Sequence, residues 1–349
     1  MIKYYTKACN FYFGAVSRGK VRKKLSIPLH GNQLISFDTI EVLSREKSKR
    51  ISIKKINSLE TSIKKKVKLD LEQISKKKIF HGLKFSSLPI LMGVLNLTPD
   101  SFSDGGKYIK KKFGIQHAKK LIKDGCAILD IGGEATNPGS KEIKVEEEWK
   151  RISPILLRLK RLRKFISLDT RKSLIMKKGI KNKINLINDV SGLSYDLKTI
   201  DVLKDTNIPF VIHHIQGTPQ TMQKRPRYKN VLLDIYDFFE KKINYLRSKG
   251  IKHNNIILDP GIGFGKNLKH NITLLRNVSI FHSLGFPVML GTSRKRFIKK
   301  LSGANDSKER LGGTISSSLI AVMQGVQILR VHDVNEVNQS IKVFYSLKF

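Results

Sequence analysis

From residue 88 onward, short apolar runs rich in Ile, Val and Leu alternate with longer amphipathic segments. A parallel strand covered by helices on both faces reads as a continuous apolar run, and this pattern predicts eight buried parallel strands. The predicted strands are Ile90–Leu97, Ala127–Ile131, Phe165–Leu168, Ile184–Ile187, Phe210–Ile212, Ile256–Leu258, Val288–Leu290 and Ile328–Val331.

Helix-length segments lie between these runs. They include Lys112–Lys123, Glu146–Leu159, Arg171–Lys178, Leu232–Ser248 and Ile315–Met323. Eight strand–helix units in sequence fit an α/β fold of the closed (β/α)8 TIM-barrel type, which uses about 250 residues as one domain. A doubly wound open sheet is the structural alternative.

The N-terminal eighty residues differ from the rest. No acidic residue precedes Asp38, as in many organelle transit peptides. Residues Leu34–Leu43, however, form a predicted strand, so the segment is not simply disordered. We predict a small basic extension of unknown role over residues 1–80 and a barrel over residues 88–349, and transit-peptide use stays open.

Composition narrows the class of protein. The net charge is +39, of which residues 1–80 carry +14 and the remainder +25, so the excess is spread along the chain. That distribution argues against specific binding of nucleic acid.

No apolar run approaches the roughly 20 residues of a membrane helix. The two cysteines, Cys9 and Cys126, provide no disulfide framework and no zinc or redox motif, which favours a cytoplasmic protein with reduced thiols.

All eight predicted strands are followed by polar residues. These are Asn96, Asp130, Asp169, Asn188 with Asp189, His213 with His214, Asp259, Ser293 to Lys295, and Arg330 with His332. One polar strand end is usually a turn or cap, but catalytic groups of a barrel project from these ends. Such a rim suits a ligand with an amidine-like edge at one end and a phosphate at the other.

The local sequences around these ends resemble the signatures of the dihydropteroate synthases, the family that joins a pterin diphosphate to an aromatic amine. The matching segments occur in the family's order and span nearly all of residues 88–349. They are Met92–Gly106, Leu129–Gly139, Ser167–Thr170, Ile187–Val190, His214–Gln223, Leu258–Lys266, Thr292–Phe297 and Ile328–Val334.

The resemblance implies roles for the pterin site. Asp259 matches the carboxylate that accepts hydrogen bonds from the pterin amino and ring N–H groups, and Asp169 and Asn188 match further pterin contacts. Lys295 matches the lysine that reaches the pterin carbonyl and ring nitrogen. Ile215 stands where many members have Met and keeps an apolar contact to the ring. Asp169, Asp259 and Lys295 are the implied catalytic residues.

The resemblance also implies a site for the diphosphate. Asn96 matches the residue that ligates Mg²⁺, with diphosphate oxygens and water completing the shell. Arg330 and His332 match the family's anion site, and Thr136 is a further candidate for diphosphate binding. With the leaving group held there, the C–O bond breaks early, the carboxylates stabilise the pterin cation, and the weakly basic amine adds without a strong general base.

For 4-aminobenzoate, the family's second substrate, Phe102, Thr136 and Pro138 match the residues that form a slot for the ring. Phe264 is a further candidate wall. The family binds the carboxylate near the start of the helix after strand seven, where this chain has Arg296. Because sulfonamides resemble aminobenzoate, the resemblance also implies a sulfonamide target, and the family usually forms homodimers.

One position departs from the family pattern. Asn137 stands where most members have an Arg before Pro138, and that Arg is thought to pair with the acid equivalent to Asp104. For His213 and His214, structural packing is expected rather than a metal site.

Two other functions are possible from the sequence. A pterin-binding methyltransferase domain would share the barrel, but it would not need Arg330, His332 or the aminobenzoate loops. A non-enzymatic basic protein on a decayed barrel is disfavoured, because the strand-end residues are intact.

Overall fold

We describe the fold from a computed structural model, which places residues 2–77, 83, 89–98, 107–136, 139–162 and 164–348. These residues form an N-terminal antiparallel sheet with two main helices, followed by an eight-stranded parallel sheet surrounded by helices. None of the helices in these ranges is long and apolar enough to cross a membrane.

The eight parallel strands form a barrel. They are β5 Ile90–Asn96, β6 Ile128–Gly132, β7 Phe165–Asp169, β8 Leu186–Asp189, β9 Phe210–His213, β10 Ile256–Asp259, β11 Met289–Leu290 and β12 Ile328–Val331. Hydrogen bonding runs in the order β10-β9-β8-β7-β6-β5-β12-β11, and a parallel bridge between Leu258 and Val288 joins the two ends. The predicted TIM-type barrel is confirmed.

Each barrel strand is followed by at least one α-helix. These helices are α3 Lys107–Lys123, α4 Val145–Leu159, α5 Ser173–Lys181, α6 Thr199–Thr206, α7 Val231–Ser248, α8 Leu268–Arg276, α9 Arg296–Ser302, α10 Leu311–Val322 and α11 Val334–Lys348. A 3-10 helix, Val278–Leu284, lies between α8 and β11. The predicted helix Leu232–Ser248 agrees with α7 to one residue. Helix α5 begins two residues later than the predicted helix Arg171–Lys178 and ends three residues later.

Three strands extend one residue past their predicted apolar run, to include Asp169, His213 and Asp259, and the fourth strand extends two residues past its run, to Asp189. The ladder is made by backbone groups, so a polar side chain does not end it. The fourth strand begins two residues later than predicted, at Leu186, because Ile184 and Asn185 belong to the turn after α5.

The barrel interior is layered. Its lower layer takes one apolar residue from most strands: Met92, Ile128, Leu186, Val211, Ile257, Met289 and Ile328, with Leu83 and Phe165 packed against them. Alternate residues such as Leu129, Leu168 and Leu258 face outward and join the larger core under the helices. Because side chains alternate along a strand, the residue two positions after each lower-layer residue also points inward, toward the mouth.

The N-terminal residues fold into a module of their own. It comprises β1 Tyr5–Phe13, α1 Gly14–Arg22, β2 Ile27–Leu29, β3 Asn32–Leu43, β4 Ser48–Ser52 and α2 Thr61–Ser75. Strand β3 is central, since β1, β2 and β4 all pair with it antiparallel. The predicted strand Leu34–Leu43 is confirmed within β3, and a separate apolar cluster lies between this sheet and α2.

The N-terminal module packs closely on the barrel. The ring of Tyr5 meets the ring of Tyr236 edge-on at 5.1 Å between centroids, and its hydroxyl donates to Asp237 on α7 at 3.0 Å. The hydroxyl of Ser279 donates to the carbonyl of Ala8 at 2.8 Å. Tyr5 is fully buried and belongs to the main core of the barrel. The module therefore contributes to the folded barrel rather than trailing from it.

Candidate active site at the mouth of the barrel

The inward-facing side chains at the carboxyl ends of the strands are nearly all polar. They are Asn96, Asp130, Asp169, Asn188, His213, Asp259 and Arg330. Register brings neighbours together, because Asp169 pairs with Asn188 and Asp259 pairs with His213 across adjacent strands. These seven residues of the predicted rim therefore lie together inside one mouth.

Arg330 connects several of these groups. Its Nε donates to Asp130 Oδ2 at 2.6 Å and its Nη2 donates to Asp169 Oδ2 at 2.7 Å. The amide of Asn188 donates to the same oxygen of Asp130 at 3.1 Å. The other oxygens, Asp130 Oδ1 and Asp169 Oδ1, are buried and have no hydrogen-bond partner among the residues that the structure describes. Buried acceptors of this kind are costly, and they are available to donors on a ligand.

Burial shifts the pKa values of this cluster. Burial raises the pKa of Asp169 to about 7; the Arg330 charge opposes this shift and the nearby Asp130 adds to it. Burial disfavours the charge on Arg330, but Asp130 and Asp169 outweigh it and raise the pKa of the guanidinium. Arg330 therefore stays charged, whereas Asp169 holds a proton more readily than an exposed carboxyl.

Asp259 lies at the end of β10, nearly fully buried. Its Oδ1 accepts a hydrogen bond from the Gly261 backbone N–H at 2.7 Å, and His213 Nε2 lies 3.9 Å away. Burial raises the pKa of Asp259 to about 6, against the opposing effects of the Gly261 N–H and Lys295. Gly261 has φ of +71°, and a Cβ there would stand 1.9 Å from the His214 carbonyl oxygen, so only glycine fits.

Lys295 approaches from the loop after β11. Its ammonium lies 4.1 Å from the centroid of the Phe264 ring, and its stem passes over Gly263. Burial lowers the pKa of Lys295 to about 8; Arg330 lowers it further, and Asp259 counteracts the shift. The lysine is therefore mostly protonated at pH 7. Phe264 is half-buried beside this lysine, and its role as a wall of the aminobenzoate slot stays a prediction.

His332 follows β12 and is held by a serine. Its Nδ1 lies 3.0 Å from Ser293 Oγ, and its backbone N–H donates to the same hydroxyl at 3.2 Å. Burial lowers the pKa of His332 to about 3, with further lowering by Arg330 and Arg294. At neutral pH the imidazole is uncharged, so it offers a hydrogen bond to an anion while Arg330 supplies the charge.

Asn96 ends β5 with its side chain exposed at the mouth. Gly132, its neighbour on β6, leaves space there: a Cβ would stand 3.7 Å from Asn96 Oδ1 and 3.6 Å from Asp169 Oδ2. Within the described ranges, no group of three or more His, Cys, Asp or Glu side chains could hold a metal. The exposed amide oxygen of Asn96 fits an ion that takes one protein oxygen and completes its shell from substrate and water, as Mg²⁺ often does.

The remaining predicted residues lie around the mouth. Ile215 is half-buried just after His214, Thr136 is half-buried in the loop after β6, and Arg296 is exposed as the first residue of α9. Phe102 and Pro138, which are predicted to line the aminobenzoate slot, lie outside the described residues. Asn137 and Asp104 also lie outside them.

Two strand-end aspartates have roles that the sequence did not separate. Asp130 had no assigned role, yet it anchors Arg330 and Asn188. Asp189 was grouped with the rim, but it points away from the mouth and its Oδ1 accepts from the Ser191 N–H at 2.7 Å. The spacing along each strand indicates the direction of these side chains. Asp130 lies two positions after the inward-facing Ile128 and therefore points inward, whereas Asp189 lies one position after the inward-facing Asn188 and points outward.

The two histidines also differ. His213 faces the interior, with its ring 4.5 Å from that of Phe264, whereas His214 packs on Phe238 outside at 4.8 Å. The buried Lys266 holds His214 in place, with its Nζ 3.0 Å from His214 Nδ1 and 2.8 Å from the Phe264 carbonyl. Structural packing describes His214, whereas His213 lines the pocket.

Comparison with known proteins accords with this geometry. Residues 92–332 match the family described as pterin binding enzyme. The dihydropteroate synthase of Escherichia coli strain K12 is 40% identical over 258 residues, which cover 74% of this chain and 91% of that protein.

Solved structures give the same result. A Yersinia pestis dihydropteroate synthase in complex with a sulfonamide drug has a TM-score of 0.73 and 36% identity, covering 77% of this chain and 98% of that one. The Xanthomonas albilineans enzyme in complex with 7,8-dihydropteroate has a TM-score of 0.69 and 33% identity, covering 76% and 95%. The chain therefore belongs to the pterin-binding enzyme family, as one of its dihydropteroate synthases.

Proposed function

We propose that the barrel mouth binds 6-hydroxymethyl-7,8-dihydropterin diphosphate and joins its methylene carbon to the amine of 4-aminobenzoate, releasing diphosphate in folate biosynthesis. The observation that carries this proposal is the meeting of buried acceptors, Asp169 and Asp259, with two cations, Lys295 and Arg330, in one pocket. Acceptors suit the amino edge of a pterin, and cations suit its carbonyl and the diphosphate.

The pterin would lie deep, between the lower apolar layer and the mouth. Asp259 would accept from the pterin amino and ring N–H groups, and the buried Asn188 and Asp169 would supply further contacts. Lys295 would donate to the pterin carbonyl and ring nitrogen. Ile215 would cover one face of the ring. The unpartnered Oδ1 of Asp169 supports this placement, because a ligand N–H would satisfy it.

The diphosphate would lie nearer the solvent. Arg330 uses two of its five N–H groups on Asp130 and Asp169, which leaves three for phosphate oxygens. Neutral His332 would add a hydrogen bond, and Thr136 would add another from the loop after β6. Because Arg330 is already fixed by two carboxylates, it is preorganised to receive charge that develops on the leaving group.

Asn96 would hold Mg²⁺ through its amide oxygen, together with diphosphate oxygens and water. When bound, the ion would neutralise charge on the leaving diphosphate. The exposure of the Asn96 side chain at the mouth supports this assignment, because an amide oxygen is a ligand type that Mg²⁺ accepts.

The aminobenzoate ring would stack near Phe264, in a slot completed by Thr136 and, from the sequence match, by Phe102 and Pro138. Its carboxylate would bind Arg296, whose exposed side chain opens α9. A sulfonamide, which resembles aminobenzoate, would compete for the same slot.

In the proposed reaction, the bond between the pterin methylene carbon and the diphosphate oxygen breaks, and its electron pair leaves with the diphosphate. Asp169 and Asp259 stabilise the cation that develops on the pterin. The amine nitrogen then bonds to the methylene carbon and loses one proton to water or diphosphate. A cytoplasmic location and a homodimer accompany the proposal as predictions.

The test is a product assay on the purified full chain. With both substrates and Mg²⁺, we expect 7,8-dihydropteroate and diphosphate in equal amounts, and a chelator should abolish both. A pterin-binding methyltransferase or a non-enzymatic protein would form neither product, and that result would refute the proposed reaction.

A further inference from the structure

Arg294 has an unusual backbone conformation. It lies in the loop between β11 and α9 with φ of +58°, in the left-handed region that non-glycine residues avoid. Such conformations persist only where the surroundings hold them, and they concentrate at functional sites. Arg294 is also the residue immediately before Lys295.

Three separate elements hold this turn. The Arg294 N–H donates to Thr314 Oγ1 on α10 at 3.0 Å, and its carbonyl accepts from Arg310 Nη1 at 2.9 Å. Its guanidinium forms a two-point pair with Asp333: Nε donates to Oδ2 at 3.0 Å and Nη2 donates to Oδ1. The backbone donor, the backbone acceptor and the side chain of Arg294 are all engaged.

The pair joins two loops that carry predicted site residues. Asp333 follows His332 after β12, and Arg294 precedes Lys295 after β11. The Lys295 stem is confined in turn, because it passes over Gly263, where a Cβ would stand 3.2 Å from its Cδ. The direction in which the loop leaves Arg294 therefore sets where the ammonium of Lys295 lies.

We propose that Arg294 and Asp333 are positioning residues, and that their ion pair holds the left-handed turn that aims Lys295 into the pterin pocket. Neither residue needs to touch the substrate. This inference rests on the proposed function, which assigns Lys295 to the pterin, and it adds a role for two residues beside the predicted site.

A structural pair elsewhere in the molecule supplies the control. Arg45 binds Asp234 at 2.8 Å and Asp237 at 2.7 Å, which ties the N-terminal module to α7. It is also a two-point arginine–carboxylate contact, with the Arg45 side chain 43% exposed against 31% for Arg294. Replacing either arginine by lysine keeps the charge and removes the planar fork.

The experiment measures calorimetric affinity of the full chain for 6-hydroxymethyl-7,8-dihydropterin, which lacks the diphosphate, in a double-mutant cycle. Arg294→Lys should weaken binding about 10- to 100-fold, because a small misplacement of a binding group is costly. In a Lys295→Ala background the same change should have no further effect. Arg45→Lys should leave affinity unchanged.

Equal losses with and without Lys295 would show that Arg294 acts on the fold and not through the lysine, which would overturn the proposal. Unchanged affinity in Arg294→Lys would also overturn it. Should Arg294→Lys fail to fold, Asp333→Asn removes the same pair from the other side and should give the same non-additivity. Failure of the wild-type chain to bind the pterin would instead contradict the proposed function.

A second comparison isolates the turn itself. Glycine adopts the left-handed conformation without strain, whereas alanine does not. Arg294→Gly should therefore retain more pterin affinity than Arg294→Ala, although both lose the ion pair. Equal affinities would count against the turn as the means by which Lys295 is aimed.

Discussion

The barrel mouth and the N-terminal module treat buried charge differently. In the module, Lys7 lies 2.6 Å from Glu41, and Asp70 accepts from Thr6 at 2.7 Å and from Lys66 at 2.6 Å. These charges are neutralised locally. In the mouth, Asp169 and Asp130 share Arg330, yet each keeps a buried oxygen with no hydrogen-bond partner in the described ranges.

This contrast distinguishes buried charged groups that support the fold from those that are available to a ligand. A buried charge that only supports the fold is best satisfied within the protein, because an unsatisfied one costs stability. The mouth tolerates that cost and shifts the pKa of Asp169 to about 7 and of Lys295 to about 8. Shifts of this kind, converging in a concave site, are typical of a catalytic centre.

The largest expected effect is on stability. Tyr5→Ala removes a fully buried ring from the junction of module and barrel and should cost about 3–5 kcal/mol of unfolding free energy. Activity at a temperature where the variant is folded should be unchanged, since the partners of Tyr5 named above, Tyr236 and Asp237, lie on α7 and not at the mouth. Denaturant unfolding and steady-state kinetics measure the two quantities. Lost activity in a folded variant would mean that the module also shapes the site.

The next effect is on binding. Asp259→Asn should weaken pterin binding by about 1.5–3 kcal/mol, because an amide reproduces only half of the acceptor chemistry of a carboxylate. Asp70→Asn in the module is the matched control: it should lower the melting temperature and leave pterin affinity intact. If the two variants have the same calorimetric profile, the distinction between the regions fails.

The pH dependence of bare-pterin binding gives a smaller effect. Affinity should rise with pH as Asp259 ionises near 6 and Asp169 near 7, by at least about tenfold between pH 5 and 7, and fall as Lys295 deprotonates near 8. The bare pterin is used because it lacks phosphates that titrate in this range. Lys295→Arg should remove the fall above pH 8, since arginine stays protonated. A flat profile would remove these groups from the pterin contact.

The smallest effect concerns the departure from the family pattern at position 137. Asn137→Arg should increase turnover or tighten aminobenzoate binding, if the new guanidinium pairs with Asp104. A partly exposed pair of this kind contributes about 0–1 kcal/mol. Steady-state kinetics of Asn137→Arg, alone and with Asp104→Ala, provide the test. A gain that persists without Asp104 would refute the pairing.

Much of the barrel could be predicted, because helix-covered parallel strands have an unambiguous apolar signature. The rim also followed from strand ends alone. What the apolar runs could not give was the direction of each polar side chain, as Asp130 and Asp189 show. Whether a side chain points into or out of the barrel depends on its position in the alternating pattern of the strand. A one-residue error in that position reverses the predicted direction.

The N-terminal module was harder to predict. Of its strands, only the one around Leu34–Leu43 was identified, and its docking through Tyr5 had no local signal. Contacts between residues as distant in sequence as Tyr5 and Tyr236 arise from tertiary packing. The same holds for the turn at Arg294, whose partners come from α10, the loop after α9 and the end of β12.

The most direct test of the account is a crystal structure of the chain with 6-hydroxymethyl-7,8-dihydropterin bound. We predict the pterin inside the barrel mouth, with its amino edge on Asp259 and its carbonyl on Lys295. A ring N–H or amino group should lie within hydrogen-bond distance of Asp169 Oδ1, which has no partner in the described part of the chain. A pterin bound outside the mouth, or inside it without contact to Asp259, would contradict the account.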